Sequence, residues 1–481
     1  MAEKYETVIG LEVHVQLNTR TKAFCGCATE FGNAPNSQTC PVCLGFPGSL
    51  PVLNKTALDH AIKVGLALGC QVQDYTKFDR KNYFYPDLPK NYQISQYDLP
   101  IAKDGYLDIE MPDGIRRIGI KRVHLEEDAG KLIHAERLSR VDFNRAGIPL
   151  LEIVSEPDLR SPQEAYGYLS DLKGIIEYLE VSECDMEKGS LRCDANISVR
   201  KKGDSRLGVK SELKNMNSFK AVRDALEFEV ARHTASLNDG KPLIQETRLW
   251  DVKELKTSPM RTKEEAKDYR YFPEPDLPPF LISKAKIEEI RSVIPKLPKA
   301  RIALFVKDYG LTEKDAKMLV LPKKNADYAQ ECFEGYPQDD KKPMVNWLTG
   351  PLFSEANSRN CQLYELKIPG GIPELVGLIR AVEKGVVSHL TAKSVLSKSL
   401  DSGKPASGII RDNNLAQVSD SGQLEGAISE VIRENAKSVS DYKQGKDNAL
   451  MFLVGQVMRK TAGKANPKVV TELLKRRLGN A

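Results

Sequence analysis

GLEVHVQL, residues 10–17, alternates apolar and polar side chains with a period of two. Such alternation is typical of a β-strand that has one face in a hydrophobic core and the other face in water. The polar face of this strand would carry Glu12 and His14. The same alternation returns in SLRCDANISVR (190–200) and in VKSELK (209–214). Because parallel strands are normally apolar on both faces, these segments predict a large, mainly antiparallel sheet with one polar face.

Stretches rich in proline or glycine predict where the domains end. PEPDLPPF (273–280) holds too many prolines for a helix interior or a central strand, so it marks the end of the sheet domain. Helical spacing dominates after it, and a cluster of Gly, Ser and Asn between residues 401 and 414 indicates a second linker. The chain of 481 residues is therefore predicted to be an α+β protein with several domains. They are a sheet domain over residues 1–290, an all-helical domain over residues 291–405 and a small helical tail domain over residues 406–481.

The composition is that of an ordinary globular protein, with 41% hydrophobic and 28% charged residues. The N-terminus lacks the basic-then-apolar layout of a signal peptide. No uncharged apolar run approaches the ~20 residues that a membrane span requires. The sequence therefore predicts a cytoplasmic protein with no membrane contact.

The formal net charge of +5 is small for so long a chain, but it is unevenly distributed. From residue 451 to residue 481 there are seven basic residues and a single acidic one, Glu472. The basic residues are Arg459, Lys460, Lys464, Lys468, Lys475, Arg476 and Arg477. This local excess favours contact with a nucleic-acid backbone. A solvated helical surface is an equally good interpretation of these residues alone.

Four of the nine cysteines form two close pairs, Cys25 with Cys27 and Cys40 with Cys43. Paired thiolates at this spacing are typical of a tetrahedral zinc site. Reduced thiols without a metal are the alternative, and disulfides are less favoured in a cytoplasmic chain. A site closed by four cysteines keeps no open position for water, so the predicted Zn²⁺ is structural and not catalytic.

Acidic and imidazole side chains recur at strand positions of the predicted sheet. They are Glu12, His14, Glu126, Glu127, Glu152, Asp194 and Glu212. Carboxylates that converge in one cleft repel one another unless a cation holds them, and oxygen ligands favour Mg²⁺. The set therefore indicates a nucleotide site with magnesium, with solvated carboxylates or structural ion pairs as the alternative. The sequence has no GxxxxGK[ST] or GxGxxG motif, so the phosphates would have to meet Lys and Arg side chains.

A basic and aromatic segment offers such side chains. FDRKNYFYPDLPKNYQISQ (78–96) places Arg80, Lys81 and Lys90 among five aromatic residues. This combination suits an anionic ligand that has a base to stack on an aromatic ring. A tyrosine-rich packing loop is the equally good structural interpretation.

Eight segments spread over the chain carry a resemblance to one known family. They are YETVIGLEVHVQL (5–17), FDRKNYFYPDLPKNYQISQ (78–96), HLEEDAGK (124–131), DFNRAGIPLLEIVSEPD (142–158), SLRCDANISVR (190–200), ELKNMNSF (212–219), DYRYFPEPDLPP (268–279) and GQVMRKTAGKANPKVVTELL (455–474). Together they resemble the GatB family, which supplies one of the subunits of the aspartyl/glutamyl-tRNA amidotransferases. The resemblance implies a cradle-shaped catalytic domain, a helical domain and a small helical tail that contacts tRNA.

The same resemblance implies a reaction and its partners. ATP and Mg²⁺ would activate the side-chain carboxylate of misacylated Glu-tRNA(Gln) or Asp-tRNA(Asn) as an acyl phosphate, and ammonia would displace the phosphate. The chain has no recognisable Ser-Ser-Lys amidase signature, so the ammonia would come from a partner amidase subunit (GatA-like). A small third subunit (GatC-like) would complete a heterotrimer. The Zn²⁺ would be an accessory of the fold, since some members of the family lack the four cysteines.

The family pattern also assigns roles to individual residues. His14, Glu127 and Glu152 are the expected magnesium ligands, and Glu12 and Asp194 would complete the acidic site. The residues expected to contact the nucleotide or the substrate are Lys81, which would offset phosphate charge, Arg192, Asn196 and Glu212.

Two other classes of protein fit the residues if the resemblance is set aside. A non-catalytic module that binds zinc and RNA would use the acidic set for structure only. A small-molecule ATP-dependent ligase would have no need of the basic tail.

Overall fold

The computed structural model describes residues 4–135, 138–262, 269–416, 421–461 and 465–479. The chain forms two compact units, Met1–Pro298 and Lys299–Ala481. In the described part of the chain every strand belongs to the first unit, which confirms the predicted α+β class with the sheet before the helices. The predicted domain limits at residues 290 and 405 stay predictions.

The first unit contains sixteen described strands. They are β1 (Tyr5–Gln16), β2 (Gln71–Val72), β3 (Tyr75–Thr76), β4 (Asp79–Asn82), β5 (Tyr92–Ser95), β6 (Ala102–Met111), β7 (Gly114–Glu127), β8 (Lys131–Ala135), β9 (Leu138–Asp142), β10 (Pro149–Ser155), β11 (Leu191–Lys201), β12 (Ser211–Lys214), β13 (Glu246–Asp251), β14 (Lys256–Thr262), β15 (Phe272–Pro273) and β16 (Phe280–Leu281). Nine of them form one sheet in the order β14-β13-β12-β11-β1-β10-β7-β6-β2. Among these described strands only β12 and β13 pair in parallel, so the prediction of a mainly antiparallel sheet is confirmed.

Three smaller sheets accompany the large one. β15, β4 and β5 form a three-stranded sheet, β16 pairs with β3, and β8 pairs with β9. The three-stranded sheet matters for the site because it carries Lys81 on β4.

The alternation in residues 10–17 separates a buried face of β1 from a polar one. Leu11, Val13 and Val15 are at most 1% exposed, whereas the residues between them are partly exposed. Each fully buried aliphatic side chain of this kind contributes about 1.5–3 kcal/mol. Helices of the first unit contribute buried residues to the same core cluster. These helices are α1 (Lys55–Ala67), α2 (Pro162–Tyr178), α3 (Phe219–Asn238) and α4 (Lys284–Ser292).

The starts of three of these helices are encoded locally. Asn54, Ser161 and Ser218 precede α1, α2 and α3, and each side-chain oxygen accepts a hydrogen bond from a backbone amide two or three residues later. Such caps satisfy amides that have no partner within the helix. Pro162 follows Ser161, at the one helical position where a missing N–H costs nothing.

After the last strand the described chain is helical. Its α-helices are α5 (Pro298–Tyr309), α6 (Glu313–Val320), α7 (Lys323–Gly335), α8 (Lys342–Trp347), α9 (Phe353–Ser358), α10 (Gly371–Glu383), α11 (His389–Ser402), α12 (Ala406–Asp412), α13 (Ser421–Glu434), α14 (Ala436–Lys443), α15 (Asp447–Lys460) and α16 (Pro467–Gly479). A π-helical turn at Leu348–Leu352 joins α8 to α9, and Leu363–Glu365 forms a 3₁₀ turn. Apolar residues of α13, α15 and α16 share one buried cluster. No helix within the described ranges is long and apolar enough to cross a membrane.

Candidate active site and metal centres

Strand register places a row of charged and imidazole side chains across four adjacent strands. His14 on β1 pairs with Arg192 on β11 and with Glu152 on β10. Glu152 in turn pairs with His124 on β7. Directly opposed residues on neighbouring strands have Cβ atoms about 4.5–5.5 Å apart, so their side chains lie on one face within contact range. This is the polar face of β1.

Four residues of this face form a compact group, here named the acid cluster: His14, His124, Glu126 and Glu152. Ligand atoms of His14, Glu126 and Glu152 lie within 4.8 Å of one another. Nε2 of His14 is 3.6 Å from Oε2 of Glu152, and Nε2 of His124 is 3.1 Å from the same oxygen. Nε2 of His124 is also 3.5 Å from Oε2 of Glu126. Glu126 is 2% exposed and Glu152 is 8% exposed, so two carboxylates are buried side by side.

Charges within the acid cluster compensate one another. Burial disfavours a proton on His124, but attraction to Glu152 and Glu126 outweighs burial and raises the pKa of His124 to about 9. The pKa of His14 is raised against the same effect of burial, mainly by Glu152. Burial would raise the pKa of both carboxylates, yet the neighbouring imidazoles hold the pKa of Glu126 and of Glu152 below the usual range.

These donors fit a divalent cation. Carboxylate oxygens are the preferred ligands of Mg²⁺, and a neutral imidazole nitrogen can complete the set. A cation between Glu126 and Glu152 would replace the protons that now offset their charge, because metal ligands must be deprotonated. The chemistry of the group therefore agrees with the magnesium site that the sequence predicts.

One of the expected ligands, Glu127, lies elsewhere. Successive residues of a strand point to opposite faces, so Glu127 points away from the face that carries Glu126. Its Oε1 accepts hydrogen bonds from Lys90 and from the backbone amide of Ile94. It also lines a small cavity with two of the four paired cysteines. The expected set of three ligands is therefore corrected in one member, with Glu126 in the place of Glu127.

The sequence analysis missed His124 and Arg122 on this face. Nε of Arg122 is buried and has no hydrogen-bond partner among the residues that the structure describes. A cation with a donor to spare suits an anionic ligand. The signal was present in the sequence, since Arg122, His124 and Glu126 alternate with the apolar Val123 and Leu125.

A second row beside the acid cluster carries most of the other predicted residues. Glu12 pairs with Asp194 on β11, and Asp194 forms an ion pair with Lys214. Nδ2 of Asn196 donates to Oε1 of Glu12 over 2.9 Å. Nζ of Lys214 also lies 3.1 Å from Oε1 of Glu212. The structure thus joins Glu12, Asp194, Asn196 and Glu212 through hydrogen bonds next to His14.

Arg192 is anchored at the edge of the acid cluster. Its Nη2 lies 2.9 Å from Oδ1 of Asp128, and Nε2 of Gln16 donates to the other oxygen of Asp128 over 2.6 Å. Nε of Arg192 is buried and finds no hydrogen-bond partner in the described ranges. Arg192 therefore keeps one donor that a ligand could use.

A cavity of about 580 Å³ opens beside the second row. Glu12, Asn196 and Lys210 line it together with the apolar Leu207 and Leu243. Nζ of Lys210 donates to Oδ1 of Asn196 over 3.0 Å. Its volume lies within the range of small-molecule sites, about 300–1,000 Å³, and its lining combines apolar walls with a few polar groups.

Lys81 reaches the acid cluster from the three-stranded sheet. Its Nζ lies 5.1 Å from the ring centroid of Tyr269 and 5.8 Å from that of Tyr83. Burial works against its charge, but attraction to Glu126 and other neighbouring groups raises the pKa of Lys81 above its usual value. Lys81 is therefore a buried and permanent cation close to the two carboxylates.

The four paired cysteines converge, with Sγ atoms within 4.8 Å of one another. None of the four is in a disulfide. Hydrogen bonds from Cys25 and from the backbone amide of Cys40 outweigh burial and lower the pKa of Cys43 to about 4. Lys22, which is 0% exposed, adds its charge with Nζ at 3.6 Å from Sγ of Cys43. Four thiols at this spacing, one of them held as a thiolate, fit a tetrahedral metal ion.

The basic residues of the tail differ in how free their charges are. Lys460 forms ion pairs with Glu430 and Glu434 at 2.8 Å each, and Arg477 lies 3.6 Å from Glu425. Lys464 lies outside the described residues. The remaining basic residues are all exposed, namely Arg459, Lys468, Lys475 and Arg476.

Comparison with known proteins gives consistent results over nearly the whole chain. Two family models match, the GatB/GatE catalytic domain over residues 7–288 and the GatB domain over residues 327–478. Three similar curated proteins are named as the GatB-type component of an aspartyl/glutamyl-tRNA(Asn/Gln) amidotransferase. The protein of Carboxydothermus hydrogenoformans is 54% identical over 481 residues, which are 99% of each chain. That of Caldanaerobacter subterraneus is 52% identical over 476 residues, 99% of each chain, and that of Brevibacillus brevis is 50% identical over 474 residues, 98% of each chain.

The family model for the catalytic domain covers the sheet, the acid cluster and the second row. One model thus spans more than half of the sequence, and relatives at about half identity align with it from end to end. This chain therefore belongs to the GatB family.

Proposed function

We propose that this chain is the component of an aspartyl/glutamyl-tRNA(Asn/Gln) amidotransferase that activates the side-chain carboxylate of misacylated Glu-tRNA(Gln) or Asp-tRNA(Asn). The activated carboxylate is then amidated with ammonia from an amidase subunit. The observation that carries the proposal is the acid cluster, where two buried carboxylates and His14 could hold a divalent cation beside Lys81. The relatives are named for the same amidotransferase activity.

The reaction needs activation because a carboxylate is a poor electrophile. Direct attack by ammonia would have to expel an oxide. Transfer of the γ-phosphoryl group of ATP to a carboxylate oxygen releases ADP and forms an acyl phosphate. Ammonia then attacks the carbonyl carbon, the bond from that carbon to the phosphate oxygen breaks, and inorganic phosphate leaves with the electron pair while the nitrogen loses a proton. Catalysis of phosphoryl transfer rests mainly on positioning and on stabilising charge.

The proposed roles follow from the groups on the polar face. His14, Glu126 and Glu152 would hold Mg²⁺, which when bound offsets charge on the transferred phosphoryl group. Lys81 and Arg122 supply fixed positive charge for phosphate oxygens. His124 touches both carboxylates, so it orients them and is a positioning residue.

The cavity beside the second row is the proposed seat for the adenosine part of ATP. Asn196 and Lys210 offer donors there, and Leu207 offers an apolar wall. Residues two apart on a strand lie about 7 Å apart along it. A triphosphate that extends from the cavity past Glu12 would therefore reach a cation held near His14.

Further components belong to the same proposal. The four paired cysteines would hold one structural Zn²⁺. A GatA-like amidase subunit and a small GatC-like subunit would complete a heterotrimer in the cytoplasm. The exposed basic residues on α15 and α16 would contact the phosphates of tRNA.

Amide formation on misacylated tRNA, measured in the assembled complex, tests the proposal. Glu152→Gln and Asp194→Asn should each slow it by about 100-fold or more while tRNA affinity stays the same. Glu6→Gln is a matched control, because Glu6 is a carboxylate at the other end of β1 that pairs with Arg200 at 2.9 Å. Unchanged amidation in the first two variants would favour a non-catalytic zinc-and-RNA-binding module. Amidation of free glutamate or aspartate at the rate seen with the tRNA ester would favour a small-molecule ligase.

A further inference from the structure

The turn that follows the second cysteine pair packs directly against Lys90. Gly45, two residues after Cys43, has a φ of +70°, and a Cβ built on it would lie 2.5 Å from Cγ of Lys90. There is no room for even a methyl group between this turn and the lysine. The position of Lys90 therefore depends on a backbone segment whose shape the cysteines fix.

Lys90 in turn holds Glu127. Its Nζ forms an ion pair with Oε1 of Glu127, and the two side chains are only 9% and 5% exposed. Neither charge could stay buried without the other at reasonable cost, so a displacement of Lys90 must displace Glu127.

Gly147 shows how closely the cysteine site approaches Glu127 from another side. A Cβ on Gly147 would lie 3.3 Å from Cδ of Lys22, 3.6 Å from Cβ of Cys43 and 3.8 Å from Oε2 of Glu127. Lys22 is itself fixed, because its Nζ contacts Sγ of Cys43 and donates to the carbonyl of Phe143 over 3.1 Å. Side chains of the cysteine site and Glu127 thus meet around one glycine.

On the other side Glu127 adjoins the acid cluster. It is the chain neighbour of Glu126, and β5 binds both residues. The backbone amide of Ile94 donates to Oε1 of Glu127 over 2.9 Å, and Oγ of Ser95 donates to Oε2 of Glu126 over 3.0 Å. β5 also pairs with β4, which carries Lys81. A shift of the Lys90 and Glu127 pair would therefore move groups on the polar face.

We propose that Lys90 and Glu127 are positioning residues that transmit the metal-held shape of the four-cysteine turn to Glu126 and so set the affinity of the acid cluster for its divalent cation. The inference rests on the proposed function, because it assumes that the acid cluster binds such a cation. It gives the cysteine site a part in the reaction beyond local folding. Groups that orient metal ligands typically change metal affinity by about 10–100-fold.

Binding of Mn²⁺, followed by electron paramagnetic resonance on the full-length chain in the assembled complex, provides the test. Bound Mn²⁺ is assigned to the acid cluster by its loss in Glu152→Gln. Lys90→Met should weaken Mn²⁺ binding about tenfold with zinc content unchanged. Cys27→Ser should reduce zinc below about half an equivalent and weaken Mn²⁺ binding by about the same factor. Because both changes act through one link, the double variant should lose no more than the weaker single variant.

Three further variants serve as controls. Lys90→Arg keeps a cation at the ion pair and should bind Mn²⁺ nearly as well as the wild type. Lys286→Met removes an ion pair of the first unit, with Asp59 at 3.0 Å, and should leave Mn²⁺ binding unchanged. If Lys90→Met does not fold, Gly45→Ala tests the same link, because its methyl group must displace Lys90.

Mn²⁺ affinity equal to that of the wild type, in zinc-poor Cys27→Ser or in folded Lys90→Met, would overturn the inference. So would losses in the double variant that multiply to about a hundredfold, because they would mean independent effects. Wild-type Mn²⁺ binding that Glu152→Gln leaves intact is a different result. It would refute the proposed magnesium site itself, and this inference with it.

Discussion

Replacement of Glu126 by glutamine should weaken cation binding at the acid cluster about thirtyfold. Glutamine keeps the shape of the side chain and removes one of two buried carboxylate charges. The ligand atoms of His14, Glu126 and Glu152 lie within 4.8 Å of one another, which serves as an upper limit for the distance from carboxylate to cation. At this distance and an effective dielectric constant of about 20, a carboxylate attracts a divalent ion by about 7 kcal/mol. If the amide oxygen and water replace about two thirds of that energy, about 2 kcal/mol is lost, or about thirtyfold in affinity.

Two measurements check this prediction in the assembled complex. Titration with Mn²⁺ gives the affinity directly, and the Mg²⁺ concentration for half-maximal amidation should rise by a similar factor. Glu6→Gln, at the other end of β1, should change neither quantity. Mn²⁺ affinity like that of the wild type in Glu126→Gln would refute the reasoning. A larger loss in Glu127→Gln than in Glu126→Gln would return the ligand role to Glu127.

Three further outcomes are expected. Arg122→Met should slow amidation about 100-fold in steady-state kinetics without changing tRNA affinity, because a buried donor for phosphate is lost; an unchanged rate would exclude Arg122 from the site. Lys475→Ala combined with Arg476→Ala should reduce the salt dependence of tRNA binding by about two phosphate contacts, whereas Lys460→Ala, already paired with two glutamates, should have little effect. Glu229→Gln should lower the free energy of unfolding of the first unit by about 3 kcal/mol at pH 7, measured with urea. Burial raises the pKa of Glu229, but hydrogen bonds from side chains on α3 and β14 outweigh it and hold the pKa at about 2. The difference between variant and wild type should therefore be complete above the unfolded pKa of about 4.3 and shrink as the pH falls towards 2.

Several features of the site follow from local sequence. The period of two in residues 10–17 fixes which side chains share a face, because successive strand residues point to opposite sides whatever the rest of the chain does. Glu12 and His14 accordingly lie on the polar face. The spacing of the four cysteines predicts that they converge, and their Sγ atoms do lie together.

The choice between Glu126 and Glu127 shows where the sequence held more information than the family resemblance. Glu126 has the parity of His124, whereas Glu127 has the parity of the buried Leu125. Parity alone thus indicates Glu126, while the resemblance indicates Glu127. A carboxylate is tolerated at the core-side position because Lys90 neutralises it there.

The sequence by itself determined the strand pattern, the polar face, the cysteine pairs and the membership of the family. Only the tertiary structure decided which distant groups meet: Lys81 approaches from a second sheet, Lys90 reaches Glu127, and Asp128 holds Arg192. The physical reason is that periodicity is set by the backbone of each segment alone. Contacts between segments depend instead on strand register and on which elements cover each face, and these are settled only when the whole sheet assembles.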